Sequence, residues 1–231
     1  MTSAVLRVAE MFGPTFQGEG PSTGHLAAFV RLSGCPVRCS WCDEPQTWDW
    51  SRFDRGAESQ PVTAGQIVTW ASGIPAGLVV ITGGEPLAQQ RGLIELAAAL
   101  ADGGRRVEIE TSGTITPVPV LASAVAAFNV SPKLASSGVP YERRIRPDAL
   151  AALAATGKAV FKFVACGRKD LDEVAELADR FGLAPVWIMP EGVTEERVLA
   201  GMRDLADDVL RRGWNLTGRM HILLWGGARG R

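Results

Sequence analysis

The feature that most constrains the fold is an alternation that runs through most of the chain. Short apolar runs, rich in β-branched and aromatic residues, recur at 26–32, 78–82, 106–110, 127–130, 158–164, 185–189 and 221–225. Between most of them lie alanine- and leucine-rich stretches with helical spacing, at 63–72, 89–101, 117–126, 147–155, 171–181 and 194–212. Such alternation builds βα units, whose strands pair in parallel. Six or seven strands are too few to close an eight-stranded barrel. The expectation is therefore an incomplete, TIM-like α/β barrel of about six βα units with mainly parallel strands. A doubly wound open sheet is the competing topology.

In either topology the ligand sits at the carboxyl ends of the strands. Unusual polar and glycine motifs follow the early strands at those ends: 33–43, 83–86, 110–113 and 131–133. Four strand-end motifs aimed at one mouth form a functional pattern. The polar stretch 45–61 has no clear period and is read as a loop or short irregular excursion beside that mouth. No internal repeat, low-complexity tract or flexible linker interrupts the 231 residues, so positions 1–231 are read as a single domain.

Charge and composition narrow the partners. Twenty-four Lys and Arg nearly balance twenty-five Asp and Glu, so no global field draws the chain to nucleic acid or an anionic membrane. The first twenty residues lack the apolar core of a signal peptide, and no later apolar run reaches the roughly 20 residues of a membrane span. A cytoplasmic location is expected. In a reducing cytosol, three cysteines within eight residues suit metal binding better than disulfides.

Those three are Cys35, Cys39 and Cys42, in the sequence Cys35-Pro-Val-Arg-Cys39-Ser-Trp-Cys42. Iron–sulfur clusters are held by closely spaced cysteines on irregular loops, because several sulfurs must converge on one cube. Three ligands instead of four leave one iron open to a substrate or cofactor. A zinc site completed by His25 is the alternative, although the spacing differs from the paired Cys-x2-Cys arms of structural zinc sites. Cys166 ends an apolar run and is read as a half-buried thiol outside the cluster.

This loop, ending the first expected parallel strand with an aromatic residue before its last cysteine, resembles the signature of the radical S-adenosylmethionine (SAM) superfamily. The resemblance implies a [4Fe-4S] cluster on Cys35, Cys39 and Cys42, with SAM chelating the open iron. An electron from the cluster then cleaves SAM to methionine and a 5'-deoxyadenosyl radical, which abstracts a substrate hydrogen. The stretch 80–86 resembles the superfamily's Gly-Gly-Glu-Pro motif and implies Gly84 and Glu85 around the amino-acid part of SAM. Trp41, Cys42 and Asp43 are implied along SAM, and Ser112, Ser131, Pro132 and Lys133 near its ribose and carboxylate.

A narrower resemblance spans nearly the whole chain. The segment Glu10-Met-Phe-Gly-Pro-Thr-Phe-Gln-Gly-Glu-Gly20 resembles the opening of the 7-carboxy-7-deazaguanine synthase family. So do Phe29-Val-Arg31, Asp43, Thr47-Trp48-Asp49, the motifs at 83–86, 110–113 and 131–133, and His221-x3-Trp225-Gly. It implies a radical ring contraction of 6-carboxy-5,6,7,8-tetrahydropterin to 7-carboxy-7-deazaguanine with loss of ammonia, using SAM and Mg2+ on the way to queuosine or related deazapurines. A homodimer and a flavodoxin- or ferredoxin-type reductase come with it. Phe16, Gln17, Gly18 and Glu19 are implied at the pterin, Arg31 at the substrate carboxylate, and Thr82 and His221 at the substrate. Glu44 stands where the family usually has a threonine or serine that binds Mg2+; a carboxylate is also a hard oxygen ligand. Arg219 and Ile222 stand where a glutamine and a lysine would flank the histidine.

Two other classes share the cysteine spacing or the metal. One is a radical SAM activase acting on a glycyl-radical protein, against which the Gln17-Gly-Glu19 segment argues. The other is a non-enzymatic iron–sulfur or zinc protein, which metal analysis would reveal.

Overall fold

The structure, a computed structural model, describes residues 4–230. The chain runs β1 (Val5–Phe16), β2 (Leu26–Leu32), α1 (Arg55–Glu58), β3 (Gln60–Thr63), α2 (Ala64–Ser72), β4 (Leu78–Gly83), α3 (Gln90–Asp102) and β5 (Arg106–Thr111). It continues α4 (Pro119–Ala124), β6 (Ala127–Val130), α5 (Tyr141–Arg144), α6 (Pro147–Ala155), β7 (Ala159–Ala165), α7 (Asp170–Phe181), β8 (Val186–Pro190), α8 (Glu195–Arg211), β9 (Asn215–Leu216) and α9 (Met220–Trp225).

Among the described residues nine strands form one sheet in the order β3-β1-β2-β4-β5-β6-β7-β8-β9. From β2 to β9 neighbouring strands are parallel and follow chain order without reversal. A doubly wound sheet needs a reversal point, and this sheet has none. The result is the expected partial barrel, extended at one edge by β1 and β3, which pair antiparallel. No described helix is long and apolar enough to cross a membrane.

Two sequence assignments change. Residues 221–225 belong to helix α9, not to a strand; a five-residue apolar run carries too little periodicity to separate the two states. Strand β1 is not expected from the sequence, because Gly13-Pro14 interrupts its pattern. There the register with β2 shifts between Phe12 and Thr15, a bulge that lets the strand carry both residues. The stretch read as irregular holds α1 and the start of β3.

Strand periodicity decides which side chains reach the site. Val79, Ile81, Val107, Ile109, Phe128, Val130, Phe161, Phe163 and Ile188 face the helices and form the main core with Leu93, Leu96, Leu150, Leu153 and Leu177. Phe128, Phe161 and Phe163 are fully buried, and truncating any one to alanine costs about 3–5 kcal/mol. The alternate positions point the other way, to the concave face. They include Arg31, Thr82, Glu110, Asn129, Lys162 and Met189, and all six line one cavity.

Candidate active site

That cavity, about 540 Å³, opens at the carboxyl ends of the parallel strands. Its rim is the loop after β2, which carries the three cysteines. Backbone bonds fasten this loop on two sides. Gly34 N donates to Thr47 O at 2.6 Å and Glu85 N to Gly34 O at 2.8 Å, while Ser40 N donates to Ser137 O at 2.9 Å. Trp41 Nε1 donates to Ser136 O at 3.0 Å, and the Lys133 ammonium lies 5.8 Å from the Trp41 ring centroid.

Cys35, Cys39 and Cys42 all line the cavity. They cluster with Val37, Trp41 and Val139 in a small apolar nest. Burial pushes the Cys39 thiol up to about 11, with Lys133 opposing and Cys42 and Cys35 reinforcing the rise. Burial likewise raises Cys42, against a hydrogen bond from Trp48. Neutral thiols suit an apolar nest, so loading with metal must displace protons.

No group of three His, Cys, Asp or Glu among the described residues is placed to share a single metal ion. A four-iron cube asks for less convergence, since each of three irons takes one sulfur. His25 joins no such set. It precedes β2, with Nδ1 2.9 Å from Ser22 O, while the cysteines follow the far end of that seven-residue strand, roughly 20 Å away along it. The zinc completion through His25 is therefore corrected by topology.

In the Gly-Gly-Glu-Pro segment the glycines also serve strand contact. A Cβ on Gly83 would overlap the Leu32 backbone, and one on Gly84 the Gly34 carbonyl. The glycines let two strand ends touch, and Gly84 still lines the cavity. Glu85 is fully buried and does not line it. Its carboxylate accepts from Leu87 N at 3.0 Å, Thr111 Oγ1 at 2.7 Å, Ser112 N at 2.8 Å and Ser112 Oγ. Glu85 thus ties the end of β4 to the end of β5 and holds Ser112 at the cavity wall. Ser131 and Lys133 line the wall beyond, joined Nζ to Oγ at 2.8 Å. Pro132 between them is buried and outside the lining.

Opposite the cysteines, Phe16, Gln17, Gly18 and Glu19 line the floor with Thr82, Glu110 and His221. Glu110 accepts from Gln17 Nε2 at 3.0 Å and from Thr82 Oγ1 at 2.7 Å. Arg31 stands near the rim, paired with Glu44 at 3.0 Å and 3.5 Å from Glu10. Its Nε is buried and makes no hydrogen bond, facing Glu10 across that 3.5 Å ion pair. Glu44 also accepts from Gln46 Nε2. Burial raises Glu44, which Arg31 partly offsets.

Two cations here escape sequence reasoning. Lys162 pairs with Glu19. Its signal is a lysine inside the apolar run 158–164, and buried charges are costly unless paired. Arg219 stands out in the sequence only as a departure from the family pattern. Its Nε donates to Glu19 Oε1 at 2.9 Å, its NH1 to Gly192 O at 2.8 Å, and its NH2 to Asp43. Burial alone would raise Glu19, but Lys162 and Arg219 hold it well below the usual carboxylate range. Burial lowers His221 despite nearby Glu19. That histidine sits on α9 and packs so closely on Gly18 that a Cβ there would overlap its ring. Ile222 is buried beside it. Cys166 is exposed, not half-buried, and lies outside this cavity.

Known proteins resemble this chain in sequence and in fold. The radical SAM superfamily pattern matches residues 29–160. The 7-carboxy-7-deazaguanine synthase of Pyrobaculum aerophilum is 41% identical over 230 residues, covering 98% of this chain and 97% of its own. That of Hyperthermus butylicus is 35% identical, covering 96% and 94%. The crystal structure of QueE from Escherichia coli superposes with a TM-score of 0.70 at 29% identity, covering 92% of this chain and 93% of that one.

Proposed function

The chain belongs to the radical SAM superfamily and, within it, to the 7-carboxy-7-deazaguanine synthases, and we propose that it converts 6-carboxy-5,6,7,8-tetrahydropterin to 7-carboxy-7-deazaguanine. The reaction is a ring contraction with loss of ammonia, in queuosine or related 7-deazapurine biosynthesis. The observation that carries this reading is the meeting, in one cavity, of the three-cysteine loop with Gln17, Glu19, Arg31 and Glu110. The activase and scaffold readings are not favoured, since relatives matching nearly the full chain are synthases.

The nest of Cys35, Cys39 and Cys42 fits a [4Fe-4S] cluster: three thiols, an apolar surround and an open side toward the cavity. When bound, the cluster supplies one electron and SAM the hydrogen-abstracting radical chemistry. Ser112, Ser131 and Lys133 offer hydroxyls and a cation to SAM, with Trp41, Asp43 and Gly84 alongside. Glu85 and Pro132 serve SAM indirectly, by shaping the strand ends. Arg31, a cation on the cavity wall, meets the substrate carboxylate, and Glu110 and Gln17 read polar edges of the pterin with Phe16, Gly18, Thr82 and His221 around it. Glu19, saturated by two cations, holds the floor in place.

Glu44 suits Mg2+, which commonly binds through one carboxylate with waters and substrate oxygens completing its shell. A single catalytic unit of residues 1–231, a homodimer, a cytoplasmic location and an external flavodoxin- or ferredoxin-type donor complete the reading. Anaerobic reconstitution with iron and sulfide, followed by turnover with SAM, reductant and carboxytetrahydropterin, tests it. Deazapurine product is expected, and Cys39→Ala should yield none; a fully loaded protein that forms no product overturns it.

A further inference from the structure

Within the cysteine loop the Cys42 sulfur has a side-chain hydrogen-bond donor, beside the Glu44 backbone N–H that also faces it. Trp48 Nε1 donates to Cys42 Sγ at 3.3 Å. Trp41, between Cys39 and Cys42, directs its N–H away, donating to Ser136 O.

The position of the Trp48 indole is fixed locally. Trp48 N donates to Pro45 O at 3.1 Å and Asp49 N to the same oxygen at 2.7 Å, closing the tight turn that carries the ring. The preceding residue is anchored twice: Thr47 O accepts from Gly34 N, and Thr47 Oγ1 donates to Glu44 O at 2.7 Å. The turn is thus pinned next to Cys35 while the indole edge returns to Cys42. Above the ring stands Arg38, its guanidinium 5.9 Å from the centroid. Arg38 is the one described non-glycine residue with a left-handed backbone, φ 63°, a conformation that costs about 1–2 kcal/mol. A cation over the face draws density from the indole and strengthens its N–H as a donor.

The potential of an iron–sulfur cluster follows its net charge, its exposure and the hydrogen bonds to its sulfurs. Reduction adds negative charge that is shared by the ligand sulfurs, so a donor on Sγ stabilises the reduced state more than the oxidised one. We propose that Trp48 is a positioning residue that tunes the cluster, its N–H bond to Cys42 Sγ raising the reduction potential and easing the one-electron step the reaction needs. This rests on the reading of Cys35, Cys39 and Cys42 as cluster ligands.

The test is an EPR-monitored redox titration of reconstituted holoenzyme and of Trp48→Phe. The equilibrium constant for reduction should fall about tenfold in the variant, a potential lower by about 59 mV for one electron, with iron content unchanged. An unchanged potential overturns the proposal. Replacing Trp48 by 3-benzothienylalanine keeps the bicyclic ring and exchanges N–H for sulfur, so it separates donor from packing. The same shift is expected there, and none would overturn the proposal. Should neither variant keep its cluster, reduced unaltered protein carrying indole-15N tryptophan decides: a 15N hyperfine coupling supports the bond, and its absence sinks it. A protein that loads no four-iron cluster at all fails earlier, and then the proposed function falls with it.

Discussion

Arg219 Nε lies 2.9 Å from Glu19 Oε1, joining the start of the last helix to a loop 200 positions earlier. The same guanidinium reaches Asp43, next to cluster-loop residue Cys42, and the carbonyl of Gly192. Met220 N donates to Gly18 O at 2.9 Å, and Trp225 stacks on Phe16 with centroids 6.2 Å apart. One buried arginine thereby links the C-terminal segment, the cavity floor and the cysteine loop.

Arg219→Gln, which restores the residue type the family resemblance implies, should leave Asp43 without this cation and Glu19 with Lys162 alone. Removing one member of a buried ion network costs roughly 3 kcal/mol, readable by denaturant unfolding. KM for the pterin should rise about tenfold, equivalent to about 1.4 kcal/mol, because Glu19 and Gly18 lose their brace.

Lys162→Met should destabilise the protein by roughly 3 kcal/mol at neutral pH. Glu19 is depressed in the folded state by Lys162 and Arg219, overriding burial. Its stabilisation is complete above the unfolded value of about 4.3 and is lost as pH falls through the lower folded value. The gap between the unfolding free energies of parent and variant should therefore begin to narrow as pH falls below about 4 and keep narrowing toward the much lower folded value; a gap independent of pH would contradict the pairing.

Glu44 should give Mg2+ binding a pH dependence. Burial raises its pKa, partly offset by Arg31, and the metal needs the ionised form. Mn2+ affinity followed by EPR should weaken on acidification from a pH above the usual carboxylate range. In Glu44→Thr that dependence should disappear.

Gly84→Ala should damage the cluster loop. The added Cβ would overlap Gly34 O and approach Cys35 N to 3.0 Å, and backbone cannot swing aside as a side chain can. The expected cost is roughly 3 kcal/mol, together with iron content well below that of the parent after reconstitution.

Much of this site is legible in the sequence because local rules write it. Period-2 strands announce themselves by apolar runs, and the motifs after them lie at carboxyl ends whatever the barrel's closure. Glu85 is legible as part of a motif, but its role is not, since only the packed sheet shows its carboxylate spent on Thr111 and Ser112. Strand β1 is hidden by Gly13-Pro14, which reads as a break until β2 is seen to pair on both sides of it. Helix α9 is hidden by brevity.

The sequence by itself determined the βα order, the three thiols and their spacing, because these depend on residues within a few positions of one another. Tertiary structure alone decided who neutralises whom. The pairing of Lys162 and Arg219 with Glu19 spans 143 and 200 positions, and no local pattern encodes it. It exists because a curved parallel sheet turns alternate side chains from separate strands into one low-dielectric cavity, where each buried charge must find its opposite.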